Sequence, residues 1–361
     1  MRNLRIEKAM ALRIGETGPN ILIPIAYGSI DRHLKRKVET EIDRAVDEVC
    51  KREKIEDKEL TRILAKYQSL PHQVKRYWSG DDYEKLMTVR TFSEASDRFN
   101  KLEEEFGVVG KYRKYRGVAA TPRKSAFAGR QPSRIDGVVK PEVKCCCCCC
   151  VGTPSEQPGV PESPTNPPPE KPPENRYSWE FGPHLKCLDE FEDHWYGNLG
   201  DDLYAAFAYG DGAGEVKTGM IPKTDGTNDL DPGETGTWPF PQRLIYPPKA
   251  PKGYLHIEID IWEKDYSAEF FGGLLSILGV VAGPIGAALG APAIGAVAGK
   301  ALEGVRSQIS DNDDDNYLGK LVFDYPQGET DLHTFIGSRT TDWSGNDCRY
   351  LFDYVIRELA P

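Results

Sequence analysis

A stretch of thirty residues without a single charge, Phe270–Gly299 (FFGGLLSILGVVAGPIGAALGAPAIGAVAG), most constrains the folding of this chain of 361 residues, 28% of which are charged. A transmembrane helix needs about 20 apolar residues, so the stretch is long enough for one tilted span or for two shorter helices. Pro284 predicts a break after Gly283. We therefore expect a helical hairpin with a second arm that extends to Ile309, either buried in the protein or inserted in lipid.

Glycines recur four residues apart along this stretch, which is the spacing that lets helices approach closely in membranes. In water each glycine weakens a helix by about 1 kcal/mol relative to alanine, so protein or lipid contacts must compensate. The pattern predicts lipid contact and self-association through the glycine faces. The residues expected to do this are Phe270, Phe271, Leu274, Leu275, Gly279, Gly283, Pro284, Gly286, Gly290, Gly295 and Gly299.

The charge of the chain is divided unevenly along its length. Residues 1–144 carry 31 Lys and Arg against 22 Asp and Glu, whereas residues 145–361 carry 15 against 34. The two parts are therefore expected to face different partners, the first an anionic surface and the second cations or a basic protein. The first residues contain no uninterrupted apolar core of the kind a secretory signal needs, so we expect no classical export signal and a peripheral association with membranes.

Residues 1–110 are predicted to form a small helical domain. Leu34, Val38, Ile42, Val46 and Cys50 recur at helical spacing. A further helix is expected in TFSEASDRFNKLEEEFG, with Ser93 as its cap and Gly107 as its end.

Residues 111–176 have the composition of a disordered linker. Their first part holds ten basic residues and two acidic ones among Gly, Pro and Ser, and their last part is rich in Pro. Between the two lie six consecutive cysteines: Cys145, Cys146, Cys147, Cys148, Cys149 and Cys150. Zinc sites need spaced pairs, which makes this run a poor metal cage. An acylation cluster beside a basic segment is a candidate role; low-complexity expansion without a role and redox or metal capture are the alternatives. Nucleic-acid binding is not favoured, because no stacking fold accompanies the basic tract.

Residues 177–361 are predicted to form an all-β sandwich with the apolar hairpin inserted at about 266–310. Short runs of aromatic and branched residues are separated by Gly, Pro, Asn and Asp. In LHIEIDI, the apolar residues Leu255–Ile261 alternate with His256, Glu258 and Asp260, which predicts that the two sets lie on opposite faces of a strand. The sequence does not decide whether Cys187 and Cys348 form a disulfide. The predicted class is thus a multidomain α+β protein.

Acidic clusters flank the hairpin. IDIWEKD ends the strand before it, and DNDDDNYLG opens the strand after it. These residues resemble the C-two domain of synaptotagmins and protein kinase C, a calcium- and lipid-binding β-sandwich. CLDEFEDHWYGNLGDDLYAAF is similar to the first acidic loop of that family.

The resemblance implies a calcium site in the loops at one end of the sandwich. By position, the implied ligands for Ca²⁺ are Asp189, Asp202, Glu263, Asp265 and Asp315. This chain has Glu263 where the family has Asp, Asn316 at or beside the last carboxylate, and a long insertion between two of the ligand loops. The alternative is that these acids only keep the loop ends hydrated.

No catalytic motif is present in the chain: G-x-S-x-G and H-E-x-x-H do not occur, and GDGAGEVKT does not have the spacing of a phosphate loop. We therefore expect a non-enzymatic protein that associates with membrane lipid through the hairpin, with calcium as a candidate trigger. The alternative is a soluble interaction module whose hairpin packs on its own domain or on a protein partner.

Overall fold

The computed structural model shows an N-terminal helical region, two antiparallel sheets and a pair of long apolar helices. This arrangement confirms the mixed α+β class. The segment predicted to be a linker, including the six consecutive cysteines, lies outside the residues that the structure describes. The described residues are 18–107, 175–189, 202–222, 227, 230–264, 268–309, 315–345 and 348–359.

The N-terminal region is built from a largely buried helix, Leu22–Leu34, and amphipathic helices around it. The helix predicted from TFSEASDRFNKLEEEFG is present, but its cap is Thr91, not Ser93. Thr91 has an extended backbone and accepts a hydrogen bond from the Glu94 amide, whereas Ser93 already lies within the first turn. Gly107 ends this helix in a left-handed conformation, as predicted. The helices are α1 Leu22–Leu34, α2 Glu41–Glu53, α3 Asp57–Ser69, α4 His72–Ser79, α5 Tyr83–Leu86 and α6 Phe92–Phe106.

The β-rich region forms two antiparallel sheets. In the first sheet the strand order is β4-β1-β9-β8, with β5 also paired to β1, and in the second it is β3-β2-β6-β7. The strand predicted from LHIEIDI is present as part of β6. The strands are β1 Arg176–Asp189, β2 Leu203–Asp211, β3 Val216–Ile221, β4 Thr235–Gly236, β5 Leu244–Lys249, β6 Leu255–Lys264, β7 Asp315–Tyr325, β8 Gly337–Ser344 and β9 Arg349–Leu359. A further short helix covers Glu329–Thr334, between β7 and β8.

The two sheets enclose a core of their own. The alternation predicted in β6 is confirmed, because Leu255, Ile257, Ile259 and Ile261 all enter this core. Aromatic side chains from the facing sheet fill it, among them Trp179, Phe181, Tyr350 and Phe352. His256, Glu258 and Asp260 lie on the outer face of β6 and are nevertheless buried, which shows that another layer covers that face.

The covering layer is the hairpin, formed by α7 (Ala268–Leu289) and α8 (Ala291–Ile309). The predicted break at Pro284 is wrong, because α7 continues through this residue. The turn falls instead at Gly290, which has a φ of +83° and donates a hydrogen bond to the Gly286 carbonyl. A proline removes a single backbone hydrogen bond, whereas the left-handed conformation favoured by glycine ends the helix outright.

The hairpin lies between the N-terminal helices and the outer face of the β3-β2-β6-β7 sheet. Helix α7 contacts β3 on one side and α1, α2, α3 and α6 on the other, while α8 covers β2 and β6. A second hydrophobic core joins these three layers, and together they belong to one compact unit. The molecule therefore has two cores, one between the sheets and one around the hairpin.

Candidate functional site

The hairpin helices approach the sheet closely through their glycines. A Cβ added at Gly279 would lie 2.3 Å from Thr218 Oγ1, and one added at Gly295 would lie 2.6 Å from the Tyr254 hydroxyl. The Thr218 hydroxyl also donates a 2.8 Å hydrogen bond to the Leu275 carbonyl. At these positions the absence of a side chain is explained by helix-on-sheet packing within this chain.

We expect Gly279→Ala to lower the free energy of unfolding by about 1–2 kcal/mol, because the new methyl group overlaps Thr218 and overpacks the interface. Gly272→Ala is the matched control on the same helix. Its Cβ would meet nothing closer than the Met220 sulfur at 3.7 Å, so the gain in helix propensity of up to about 1 kcal/mol remains. Urea unfolding measures both. Equal effects of the two substitutions would contradict close packing at Gly279.

A charged cluster lies between the C-terminal part of α8 and the sheet. It consists of Arg306, Asp260, Glu258, Lys320 and His256. Arg306 Nη2 lies 2.6 and 2.8 Å from the two carboxylate oxygens of Asp260 and 3.5 Å from Glu258. Lys320 Nζ lies 3.1 Å from Glu258. Both carboxylate side chains are 1% exposed. A buried charge that loses its partner is strongly destabilising, so the cluster fixes α8 in one position on the sheet.

His256 occupies the middle of the covered face of β6. Its Nδ1 lies 3.6 Å from Asp324 and its Nε2 lies 3.9 Å from Glu258, distances that indicate electrostatic contact and are too long for hydrogen bonds. Burial alone would lower the pKa of His256, but the flanking carboxylates of Asp324 and Glu258 outweigh it and raise the pKa above its ordinary value. The ring of Tyr254 and the backbone of α8 at Gly295 close the pocket.

This pKa shift predicts that the folded protein becomes less stable as the pH rises above about 6.5. A raised pKa means that the folded state binds the proton more tightly than the unfolded state does. The stabilisation is therefore fully present below the unfolded pKa and is lost as the pH rises through the folded pKa. Thermal unfolding of the native protein and of His256→Gln across this range tests it. A pH dependence that survives the substitution would assign it to another group.

A second set of polar contacts ties α8 to the start of the N-terminal helical region. Lys300 Nζ donates to the Gly18 carbonyl at 2.7 Å and lies 3.1 Å from Glu303. The Asn20 side chain in turn donates to the Lys300 carbonyl at 2.7 Å. Burial lowers the pKa of Lys300, although Glu303 opposes that shift. Charged side chains of α8 thus hold the hairpin to the N-terminal region on one side and to the sheet on the other. These side chains all follow the uncharged stretch that ends at Gly299.

The structure places some of the predicted calcium ligands at one end of the second sheet. Asp202 directly precedes β2, and Glu263 pairs in register with the first residue of that strand. Asp315 opens β7 opposite Lys264. Asp189 ends β1 in the other sheet, and Asp265 lies outside the described residues.

Calcium binding stays a prediction. Among the residues that the structure describes, no three His, Cys, Asp or Glu side chains lie close enough together to hold a metal ion. Glu263 is buried, and the loops that carry the remaining acids fall largely in the gaps between the described ranges. The ends of β2, β6 and β7 therefore bring three of the predicted ligands to one end of the sheet. The described residues alone do not form a complete calcium site.

The cysteines of the described part form no disulfide. Cys50, Cys187 and Cys348 are all buried, and the disulfide considered between the last two is not formed. Burial, together with the carboxylates of Asp47, Asp57 and Glu59, raises the pKa of Cys50 to about 11. A thiol with so high a pKa is a poor nucleophile at neutral pH.

The predicted hairpin residues differ in burial, and Pro284 is exposed. Leu274 and Leu275 belong to the core around the hairpin, while nothing is described of the side chains of Phe270 and Phe271. Sequence reasoning missed the partners of the covered strand face, Arg306 and Lys320. The sequence shows Arg306 and Lys320 after an uncharged hairpin, but local spacing does not identify the strand face that they meet.

One helix in the described part of the chain has the length and composition of a membrane span. It is α7 over Gly272–Leu289, with a mean hydropathy of 1.9, and 56% of this window is buried. The core helix of a water-soluble protein can have the same length and hydropathy, so the finding fits both a membrane span and a buried core helix. The sequence matches no protein-family model, and no curated protein matches it significantly.

Proposed function

We propose that the chain is a non-enzymatic membrane-associating protein whose apolar hairpin is stored between two layers and leaves them to enter lipid. In the stored form the N-terminal helices cover α7, and the β3-β2-β6-β7 sheet covers α8. In the associated form the uncharged part of the hairpin contacts the bilayer, and its glycine faces are available for self-association.

One observation carries this proposal: the core between the sheets contains no residue of the hairpin. The sheet face beneath the hairpin carries His256, Glu258 and Asp260, which are suited to contact with water, beside the apolar Ala206 and Trp262. Departure of the hairpin would therefore hydrate this face and leave the inter-sheet core closed. The N-terminal helices share their core with the hairpin. When the hairpin leaves, they must therefore pack against one another or move with it.

The charges of α8 limit how deeply the hairpin can insert. Lys300 follows the turn at Gly290 by only nine helical residues, Ala291–Gly299, which span about 14 Å. The hydrocarbon core of a bilayer is about 30 Å thick, and charged side chains within it are costly. The geometry favours insertion of the hairpin tip into one leaflet, with Lys300 near the lipid headgroups.

Calcium dependence is a separable part of the proposal. The second half of the chain is strongly acidic and would be repelled by anionic lipid. Ca²⁺ bound at Asp189, Asp202, Glu263, Asp265 and Asp315 would reduce that repulsion. The strand registers that bring Asp202, Glu263 and Asp315 to one sheet end are compatible with this role.

The alternative is a soluble interaction module in which the hairpin never leaves. The fit of Gly279 and Gly295 against the sheet favours it, because close packing accounts for these glycines without lipid. In this case the hairpin is a structural layer that joins the helices to the sheets.

Flotation of the full chain with vesicles of phosphatidylcholine and phosphatidylserine tests the proposal. We expect the protein to rise with the vesicles in calcium and to stay behind in chelator. Flotation in both conditions would show that calcium is not required, and the proposed role of the hairpin would stand. Failure to float in either condition would favour the interaction module.

A further inference from the structure

An open groove of about 1260 Å³ runs beside the stored hairpin. Its floor is one side of α7 from Gly272 to Ala287. One wall is the corner between α2 and α3, and the other is strand β3 with the segment that enters β5. The groove is distinct from the charged cluster, which lies under α8.

Strand β3 is an edge of its sheet as far as the described strands extend. The Asp211 amide donates to the Glu215 carbonyl, and the register continues with Gly210 opposite Val216. Because hydrogen-bonded and non-hydrogen-bonded pairs alternate in an antiparallel ladder, the N–H and C=O groups of Val216, Thr218 and Met220 point away from β2. All three residues line the groove.

The groove has apolar side chains on both faces of this strand edge. Ile55 and Val280 lie on the helical side, and Phe207 and Leu244 lie on the side of the inter-sheet core. An extended strand presents alternate side chains to opposite faces, so a strand placed beside β3 would contact both sets. The stretch of α7 along the floor is about 22 Å long, which matches about seven extended residues.

The charges that line the groove are mainly acidic. Glu48, Glu53 and Glu59 lie on the helical wall against Arg52, while Glu215 and Lys217 lie near the start of β3. The lining therefore carries four Glu side chains against two basic ones, and three of the four lie on the helical side. It favours a partner with basic residues.

We propose that this groove binds an extended basic segment of another protein, which adds to the edge of β3 as a fifth strand. Backbone hydrogen bonds to Val216, Thr218 and Met220 supply the affinity, and the helical wall selects basic side chains. The site uses the stored hairpin as its floor, so it belongs to the packed form and does not depend on membrane association.

Fluorescence anisotropy with the full chain tests this proposal in the absence of lipid. The probe is a labelled peptide of about eight residues that alternates Lys and Val, compared with a Glu and Val peptide and with a Lys and Val peptide interrupted by Pro. We expect binding of the first peptide only. Thr218→Pro should weaken it about tenfold by removing an edge N–H, and Glu48→Lys should weaken it through charge.

Thr218→Val is the matched control, because it keeps the backbone N–H and, like the proline variant, loses the hydroxyl contact to Leu275. It should bind as the native protein does, and amide exchange at Met220 should slow when the peptide is added. Equal binding of the acidic peptide, equal loss in both Thr218 variants, or no binding of any peptide would overturn the proposal. A concentration-dependent dimer that Thr218→Pro abolishes would assign the edge to a second copy of this chain.

Discussion

Replacement of residues 268–309 by a short Gly/Ser linker is expected to abolish flotation with anionic vesicles while the two sheets stay folded. The strands that flank the hairpin are neighbours, and Lys264 lies opposite Asp315 in their register. A short turn can therefore join them without strain, as in an ordinary β-hairpin. The inter-sheet core loses no side chain in this variant.

The expected effects on the two cores differ sharply. Trp179, Trp238 and Trp343 lie in the inter-sheet core. Their near-ultraviolet circular dichroism should persist in the variant and should be lost in one cooperative unfolding transition. The N-terminal helices should expose apolar surface and bind a hydrophobic dye, because their core is shared with the hairpin. Gly272→Ala, which keeps the hairpin, is the control and should float.

Two outcomes of this replacement would contradict the account. If the tryptophan signal collapses, the sheets depend on the hairpin for stability, and the hairpin is a structural layer. If flotation persists without the hairpin, another part of the chain contacts the lipid. Both outcomes are read from the same preparation.

Local patterns predicted part of the secondary structure. The alternation of Leu255–Ile261 with polar residues fixed both the strand and the face that enters the core, because strand side chains alternate strictly. Gly107 ended its helix as expected, since it can adopt the left-handed conformation. These features depend on neighbours within a few residues, so a single sequence is sufficient to detect them.

The position of the turn in the hairpin could not be predicted from such local rules. Both Pro284 and Gly290 are helix breakers, and the choice between them depends on what the helix packs against. The rows of small residues on α7 fit the outer face of β3, and continuation through Pro284 keeps that contact. The chain thus loses one backbone hydrogen bond and retains a packed interface.

The partners of the charged strand face were also beyond sequence reasoning. Asp260 and Arg306 are far apart in the chain but form a bidentate pair. A pattern of His256, Glu258 and Asp260 normally indicates exposure to water, and only the position of α8 explains their burial. The resemblance to C-two domains and the calcium site that it implies remain predictions.

A disulfide that locks the hairpin to the sheet would test its departure. A Cβ at Gly279 would lie 3.3 Å from the Thr218 Cβ, close to the separation of about 3.5–4.5 Å found in disulfides. Thr218→Cys combined with Gly279→Cys should therefore form a bond between β3 and α7 under oxidising conditions. Each single substitution controls for the loss of the glycine and of the threonine.

The most direct measurement is flotation of this double variant before and after reduction, beside both single variants. If the hairpin must leave the sheet to contact lipid, the oxidised double variant stays behind, the reduced one floats, and the single variants float in both conditions. If the oxidised double variant floats as well as the reduced one, the hairpin does not leave the sheet on binding, and the central claim is wrong.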